Sequence, residues 1–337
     1  MKNMKKLLAM LLALIMVLSM VACGSGEASA PASAPASEAA SAPVEAESYT
    51  IGICQLVQHD ALDAATQGFK DALTEKLGDK VSFDEQNASG DSPMCATIVD
   101  GFVASGVDLI MANATAPLQA AAAATADIPV LGTSVTDYAT ALEIENWTGT
   151  VGNNVSGTSD LAPLDQQAAM IQEMFPDAKK VGLLYCSAEP NSVYQCDVIE
   201  GYLKDAGLEV ERFAFTDTND VNAVSQSAAD ASDVIYIPTD NTAASNTEAI
   251  ANVVIPAGVP VIAGEAGICS GCGVATLSIS YYDLGYATGQ MAYEILVNGA
   301  DVKTMPVAFA ANVTKMYNAA NCEALGITPP EGYEPIA

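Results

Sequence analysis

The stretches VDLIMANATAPLQAA, residues 107–121, and DVIYIPTDNT, residues 233–242, decide the architecture. In each, an aspartate opens a short apolar run, Asp108-Leu109-Ile110 in one and Asp233-Val234-Ile235 in the other, and small or polar residues follow, Ala114-Thr115-Ala116 and Thr239-Asp240-Asn241. Each stretch leads to a second apolar run with proline at its second position, Ile128-Pro129-Val130-Leu131-Gly132 and Val259-Pro260-Val261-Ile262-Ala263. Unbroken apolar runs of this length read as strands covered on both faces, and the amphipathic segments between them read as helices. Two copies of one β-α-β pattern imply two similar units.

Working outward, the first copy reads as strands at 50–57, 81–85, 107–112 and 128–131, with helices at 62–77, 94–105 and 118–124. The second reads as strands at 180–185, 209–215, 233–237 and 259–263, with helices at 192–206, 221–231 and 243–254. The expected fold class is α/β, two Rossmann-like lobes with parallel sheets joined by a hinge. Lobe 1 is expected at 49–160 with 275–300, which supplies a strand at 275–279 and a helix at 282–297, and lobe 2 at 161–274 with 301–337, the tail crossing back from about Met305. Ligands of open α/β sheets bind beyond the strand C-terminal ends, so the cleft between the lobes is the expected site.

The N-terminal region is of another kind. Lys2, Lys5 and Lys6 precede an apolar run from Leu7 to Ala22, too short for a membrane-spanning helix and typical of an export signal. Residues 1–22 therefore read as a lipoprotein signal peptide, and Met20-Val21-Ala22-Cys23-Gly24 resembles a lipobox, which implies cleavage before Cys23 and acylation of its thiol. Residues 23–48, mostly Ala, Ser, Pro, Glu and Gly, cannot bury enough apolar surface to offset their ordering entropy and read as a disordered tether. The expected place is the cell surface, on the outer face of the cytoplasmic membrane. With the three leader lysines set aside, 41 acidic side chains face 9 basic ones, a net charge near −32 that repels nucleic acid.

Seven cysteines follow Cys23, an odd number, which fits either a reducing setting or one or two local disulfides. Cys269-Ser-Gly-Cys272 lacks the further ligands a zinc site needs, because the chain has one histidine, His59. The same count leaves little material for a Ser-His-Asp or Cys-His centre, and neither a G-x-S-x-G elbow nor a phosphate-binding glycine loop is present. No catalytic residue, metal site or cofactor is expected. The chain reads as a binding protein.

Polar residues collect after the expected strands. The candidate ligand contacts are Gln55, His59, Thr115, Ser134, Asp137, Ser159 and Asp160 in lobe 1, and Glu189, Asn191, Ser192, Thr239, Asp240, Asn241 and Glu265 in lobe 2. Helix capping explains any one of them singly, since Ser, Thr, Asp and Asn are ordinary caps. As a set around one cleft they favour a ligand, held by free N–H groups at helix starts. Tyr138, Tyr194, Tyr281 and Tyr282 are aromatic candidates for stacking on it.

The stretches IGICQLVQHDALDAATQGF (51–69), VSGTSDLAP (155–163), KKVGLLYCSAEPNSVYQ (179–195) and YYDLGYATGQMAYEIL (281–296), with the two quoted first, resemble ABC-type substrate-binding proteins that include tryptophan and tyrosine binders. The most specific pieces are E-x-N-S at Glu189 to Ser192 and T-D-N-T at Thr239 to Thr242. The resemblance implies a class I periplasmic-binding-protein fold and delivery of an amino acid to an ABC permease by a receptor expected to be a monomer. Tyr138, Cys186 and the Cys269 to Gly273 loop depart from the family pattern. The rival reading is a receptor for a sugar, nucleoside or signalling molecule. One tryptophan, Trp147, is little for a sugar site.

After the leader the chain has one arginine, Arg212, inside an expected strand. An α-carboxylate is therefore expected on helix N-termini, with Asn191, Ser192 and Thr115 as donors, and an ammonium on Asp240 first, then Asp160, Asp137 or Glu265. For the anchor, Cys23→Ala is expected to release the protein into the medium or block its processing. Membrane fractionation checks this, and full membrane retention after correct cleavage contradicts it.

Overall fold

The computed structural model describes residues 48–310 and 312–336. The expected signal peptide, most of the tether and Cys23 lie outside the described residues. The first half alternates strands and helices: β1 Tyr49–Gln55, α1 Asp60–Leu77, β2 Val81–Asn87, α2 Ser92–Ser105, β3 Leu109–Asn113, α3 Thr115–Ala124, β4 Val130–Val135, α4 Tyr138–Ala141 and β5 Val155–Ser159. The second half repeats the alternation: α5 Leu164–Met174, β6 Lys180–Cys186, α6 Pro190–Asp205, β7 Glu209–Phe215, α7 Val221–Ala231, β8 Val234–Ile237, α8 Asn241–Ala244, α9 Thr247–Ala257, β9 Val261–Ala263, α10 Ala266–Gly271 and β10 Ala275–Ser278. Then come α11 Tyr281–Leu296, β11 Ala308–Phe309, β12 Thr314–Tyr317, α12 Ala319–Leu325 and β13 Glu334–Pro335.

Two sheets result, ordered β11-β5-β4-β3-β1-β2 and β13-β12-β10-β9-β8-β6-β7. All their pairings are parallel except β10 with β12. The central strands β3, β4 and β8 are buried along their whole length, as expected of strands that open on apolar runs and are covered on both faces. The internal repeat is structural. Asp108 Oδ2 accepts from Thr50 N at 2.7 Å, and its counterpart Asp233 Oδ2 accepts from Lys179 N and Lys180 N at 2.8 and 2.9 Å, so each aspartate fastens the start of its lobe's first strand. Ile110 N donates to Pro129 O and Ile235 N to Pro260 O, both at 2.9 Å.

The lobe boundaries differ from the expectation at two crossings. The strand expected in lobe 1 at 275–279 is β10, which pairs with β9 and β12 in the second sheet, and the chain crosses only at Ile279 and Ser280. The tail then remains in lobe 1 through β11, where Ala308 pairs with Thr158, and returns to lobe 2 before β12. An apolar strand shows its burial in sequence but not its sheet neighbours, which explains the displaced boundary. The seven described cysteines are free and buried. Among the described residues no helix is long and apolar enough to cross a membrane.

Helix α11 closes lobe 1 by lying against α1 at glycine contacts. A Cβ on Gly285 would sit 1.9 Å from Ala65 O, and one on Gly68 would sit 2.1 Å from Tyr282 O. Alanine normally stabilises a helix interior relative to glycine by about 1 kcal/mol. Here the clash with backbone reverses the sign. Gly285→Ala is expected to destabilise by about 1–3 kcal/mol, read as a lower midpoint in thermal unfolding followed by circular dichroism.

Candidate functional site

The strand C-terminal ends of the two sheets face each other across the cleft, and they bring chemistry together that lies far apart in sequence. A small cavity lies between the lobes. Lobe 1 lines it with His59, Ala61 and Leu62 at the start of α1, Ser134 at the end of β4, Asp160 beyond β5, and Tyr281 at the start of α11. Lobe 2 lines it with Asn191, Thr239, Asp240, Asn241, Ala244 and Glu265.

Three buried polar atoms of this lining have no hydrogen-bond partner: His59 Nδ1, Ser134 Oγ and Asp160 Oδ1. Such atoms cost free energy unless something satisfies them. Ser134 also has φ 55°, in the left-handed region, and Ala114, at the end of β3, has φ 107°. Strained backbone of this kind concentrates at functional sites.

Each charged group has a distinct role. Asp160 is buried, its Oδ2 accepts from Tyr281 OH at 2.9 Å, and burial raises its pKa against the opposing hydrogen bonds from Tyr281 and Thr136. Asp240 accepts from Cys186 N at 2.6 Å and from Ala243 N at 2.8 Å, capping α8, and burial followed by the charge of Glu189 pushes its pKa up to about 8. Glu265 caps α10 through Gly267 N and Ile268 N, each at 2.5 Å, and burial pushes its pKa up to about 7. Of these three, Asp160 alone keeps an unpartnered oxygen.

His59 Nε2 meets Asn241 Oδ1 across the cleft at 3.2 Å. Because Asn241 Nδ2 already donates to Glu189 Oε2 at 2.7 Å, its Oδ1 is the acceptor, which assigns the proton to His59 Nε2. Burial lowers the His59 pKa and favours the neutral ring, whose Nδ1 then carries a lone pair without a partner.

Eight expected contacts thus line the cavity: His59, Ser134, Asp160, Asn191, Thr239, Asp240, Asn241 and Glu265. The other six take framework positions. Gln55 bonds Asp63, Val57 O and Thr66 inside lobe 1. Asp137 accepts from Thr140 N and caps α4, and Ser159 Oγ donates to Thr136 O. Glu189 accepts from the backbone and side chains of Asn241 and Thr242. Ser192 supports Asp240, and Thr115 is buried at the start of α3. Asn191, expected to donate to a carboxylate, spends its amide on Glu189, Ser192 and Thr239 O. Ala61, Leu62 and Ala244 carried no polar signal in the sequence. Arg212 sits on β7 paired with Asp197 and Glu200 of α6, outside this cavity.

The family model for ABC transporter substrate binding proteins matches residues 50–333. The chain belongs to this family. It is a binding protein and not an enzyme. A tyrosine-binding protein from Clostridioides difficile (strain R20291) is 38% identical over 260 residues, covering 76% of this chain and 75% of that one. A Streptococcus pneumonia protein crystallised with L-Trp is 33% identical and covers 86% of this chain and 100% of its own, with a TM-score of 0.82. A ligand-free, open structure of a substrate-binding protein with adhesive properties from Clostridium difficile is 38% identical, over 86% of this chain and 99% of that one, with a TM-score of 0.66. The open protein is the more similar in sequence and the less similar in shape. In shape this chain is more similar to the L-Trp-bound structure than to the open one, and hydrogen bonds cross its cleft.

The buried carboxyls predict a pH slope. The ordinary Glu pKa is about 4.3, and with a folded value of about 7 Glu265 binds more protons in the folded chain than in the unfolded one between those limits. Stability of the ligand-free protein therefore falls as pH rises through that window. Glu265→Gln removes this contribution, so its melting temperature relative to wild type is expected to rise from about pH 4 to about pH 8. A difference that stays constant across that range contradicts the assignment.

Proposed function

We propose that this chain is the lipid-anchored, extracytoplasmic receptor of an ABC importer and that it captures an aromatic amino acid between its lobes. The observation that carries the ligand class is that three residues lining one cavity, Asp160, Ser134 and His59, each hold a buried polar atom without a partner: Oδ1, Oγ and Nδ1. An ammonium group has three N–H donors and a positive charge, and it matches these acceptors and the carboxyls behind them. A carboxylate is matched by the start of α1, an 18-residue helix without a side-chain cap, whose Ala61 and Leu62 line the same cavity. The names of the tyrosine-binding and L-Trp-bound relatives support an aromatic side chain. An open groove of about 400 Å³, which includes Leu56, Val57, Cys186 and Ala188 and shares Asn241 with the cavity, offers it space.

In this reading residues 1–22 are a cleaved signal, Cys23 carries the lipid, and residues up to 48 tether a monomeric body that docks on a permease. Asp160 replaces Asp240 as the first-ranked ammonium partner, because the Asp240 oxygens are held by Cys186 N and Ala243 N.

Calorimetric titration with L-tyrosine and L-tryptophan tests this. Wild type is expected to bind at least one of them, and Asp160→Asn to weaken that binding by roughly 2 kcal/mol, about 30-fold. Arg212→Ala is expected to bind as wild type does. Absence of binding to both amino acids refutes the ligand class, and wild-type affinity in Asp160→Asn refutes the site.

A further inference from the structure

Gln195 lies one helical turn beyond Asn191 on α6, is buried, and does not line the ligand cavity. Its Nε2 donates to Asn191 O at 3.1 Å and to Thr239 Oγ1 at 2.5 Å within lobe 2, and reaches across the cleft to Thr136 Oγ1 at 3.3 Å. Its Oε1 accepts from Thr239 N at 3.2 Å, so both ends of the amide are held. Thr136 Oγ1 and Thr239 Oγ1 are 3.5 Å apart, also across the cleft. Thr136 is buried and, like Gln195, lies outside the cavity lining.

On its own side Thr136 lies beside Asp160, because Asp160 N donates to Val135 O at 3.2 Å and Ser159 Oγ to Thr136 O at 2.7 Å, and its hydroxyl favours the ionised form of the Asp160 carboxyl. A hydroxyl carries one proton and two lone pairs. The two Gln195 Nε2 protons serve Asn191 O and Thr239 Oγ1, so the Thr239 hydroxyl is left to donate to Thr136 Oγ1 and the Thr136 proton is free for Asp160. This makes a continuous polar chain from Gln195 and Thr239 in lobe 2, through Thr136, to the one cavity carboxyl with an unpartnered oxygen. Hydrogen bonds in such chains polarise one another, and ionised Asp160 is a stronger acceptor than protonated Asp160.

We propose that Thr136 is a positioning residue that couples the ligand held at Asp160 to closure of the lobes, through a latch with Gln195 and Thr239 that forms only when the lobes meet. An ammonium ligand keeps Asp160 ionised and thereby strengthens the bond from Thr136. Thr136 is in turn held in place by lobe 2. Opening the cleft breaks the two cross-cleft links of Thr136 at once, so the latch acts on ligand release more than on capture. The coupling to Asp160 rests on the reading that Asp160 holds the ligand ammonium, whereas the latch itself rests on the cross-cleft geometry.

The experiment compares wild type, Thr136→Val, which keeps shape and removes the hydroxyl, and Thr136→Ser, which restores it. Stopped-flow kinetics with L-tyrosine and L-tryptophan are expected to show a dissociation rate raised about tenfold in Thr136→Val, with little change in the association rate. Thr136→Ser is expected to lie within about twofold of wild type. Small-angle scattering of the ligand-free proteins is expected to give a larger mean radius of gyration for Thr136→Val than for the other two. A wild-type dissociation rate in Thr136→Val, or a Thr136→Ser variant as fast as Thr136→Val, overturns the proposal. If wild type binds neither amino acid, the ligand reading falls and the latch is judged on scattering alone, where equal radii overturn it.

Discussion

A carboxyl sealed from water without a cation beside it is unfavourable in its ionised form, and the interior of this cleft holds three: Asp160, Asp240 and Glu265. Lobe 2 offsets part of that cost with backbone N–H groups, two each for Asp240 and Glu265. Asp160 receives the Tyr281 hydroxyl at Oδ2 and keeps Oδ1 bare. The closed arrangement therefore leaves one acceptor unsatisfied, and a cation placed there would complete it. That gives a closing ligand the differential affinity that any ligand-driven conformational change needs.

The fold delivers this arrangement through its repeat. Asp108 and Asp233 fasten equivalent strands, and the matched proline carbonyls at 129 and 260 accept equivalent backbone bonds, so each lobe presents the same kind of strand-end rim. Facing two such rims puts short polar loops against each other across one cavity. The connections at Ile279 and Ser280, and between β11 and β12, pass from one sheet to the other without a shared strand pairing between the sheets. Each lobe keeps its own hydrogen-bonded sheet, and the side-chain contacts in the cleft can break and reform without disturbing either.

The repeat was legible because it is written in apolar runs, and burial of those runs needs no knowledge of partners. The strand at 275–278 shows the limit of that signal: its residues announce a covered strand, while its place beside β9 depends on a pairing between segments. The site shows the same limit more sharply. Asp160 and Asp240 each follow a buried strand, and sequence favoured Asp240 for its place in T-D-N-T. What separates them is the supply of N–H groups from Cys186 and Ala243, which the sequence does not display. Gln195 was missed because it sits inside a helix, away from any strand end. Its one-turn spacing from Asn191 was the available signal, and only the approach of Thr136 from the other lobe gives that spacing meaning.

Ionisation and closure are linked in one direction by these contacts. Burial holds Asp160, Asp240 and Glu265 toward their protonated forms when no cation is present, and neutral carboxyls lower the electrostatic cost of bringing the lobes together. A cation entering the cavity favours the ionised form of the nearest carboxyl, so its arrival and the departure of a proton are thermodynamically coupled. His59 does not supply the missing charge, because burial lowers its pKa and its single proton is committed to Asn241. The lone histidine thus acts as an acceptor within an acidic cavity. The lining holds no lysine or arginine, so none of its carboxyls has a countercharge from the cavity wall.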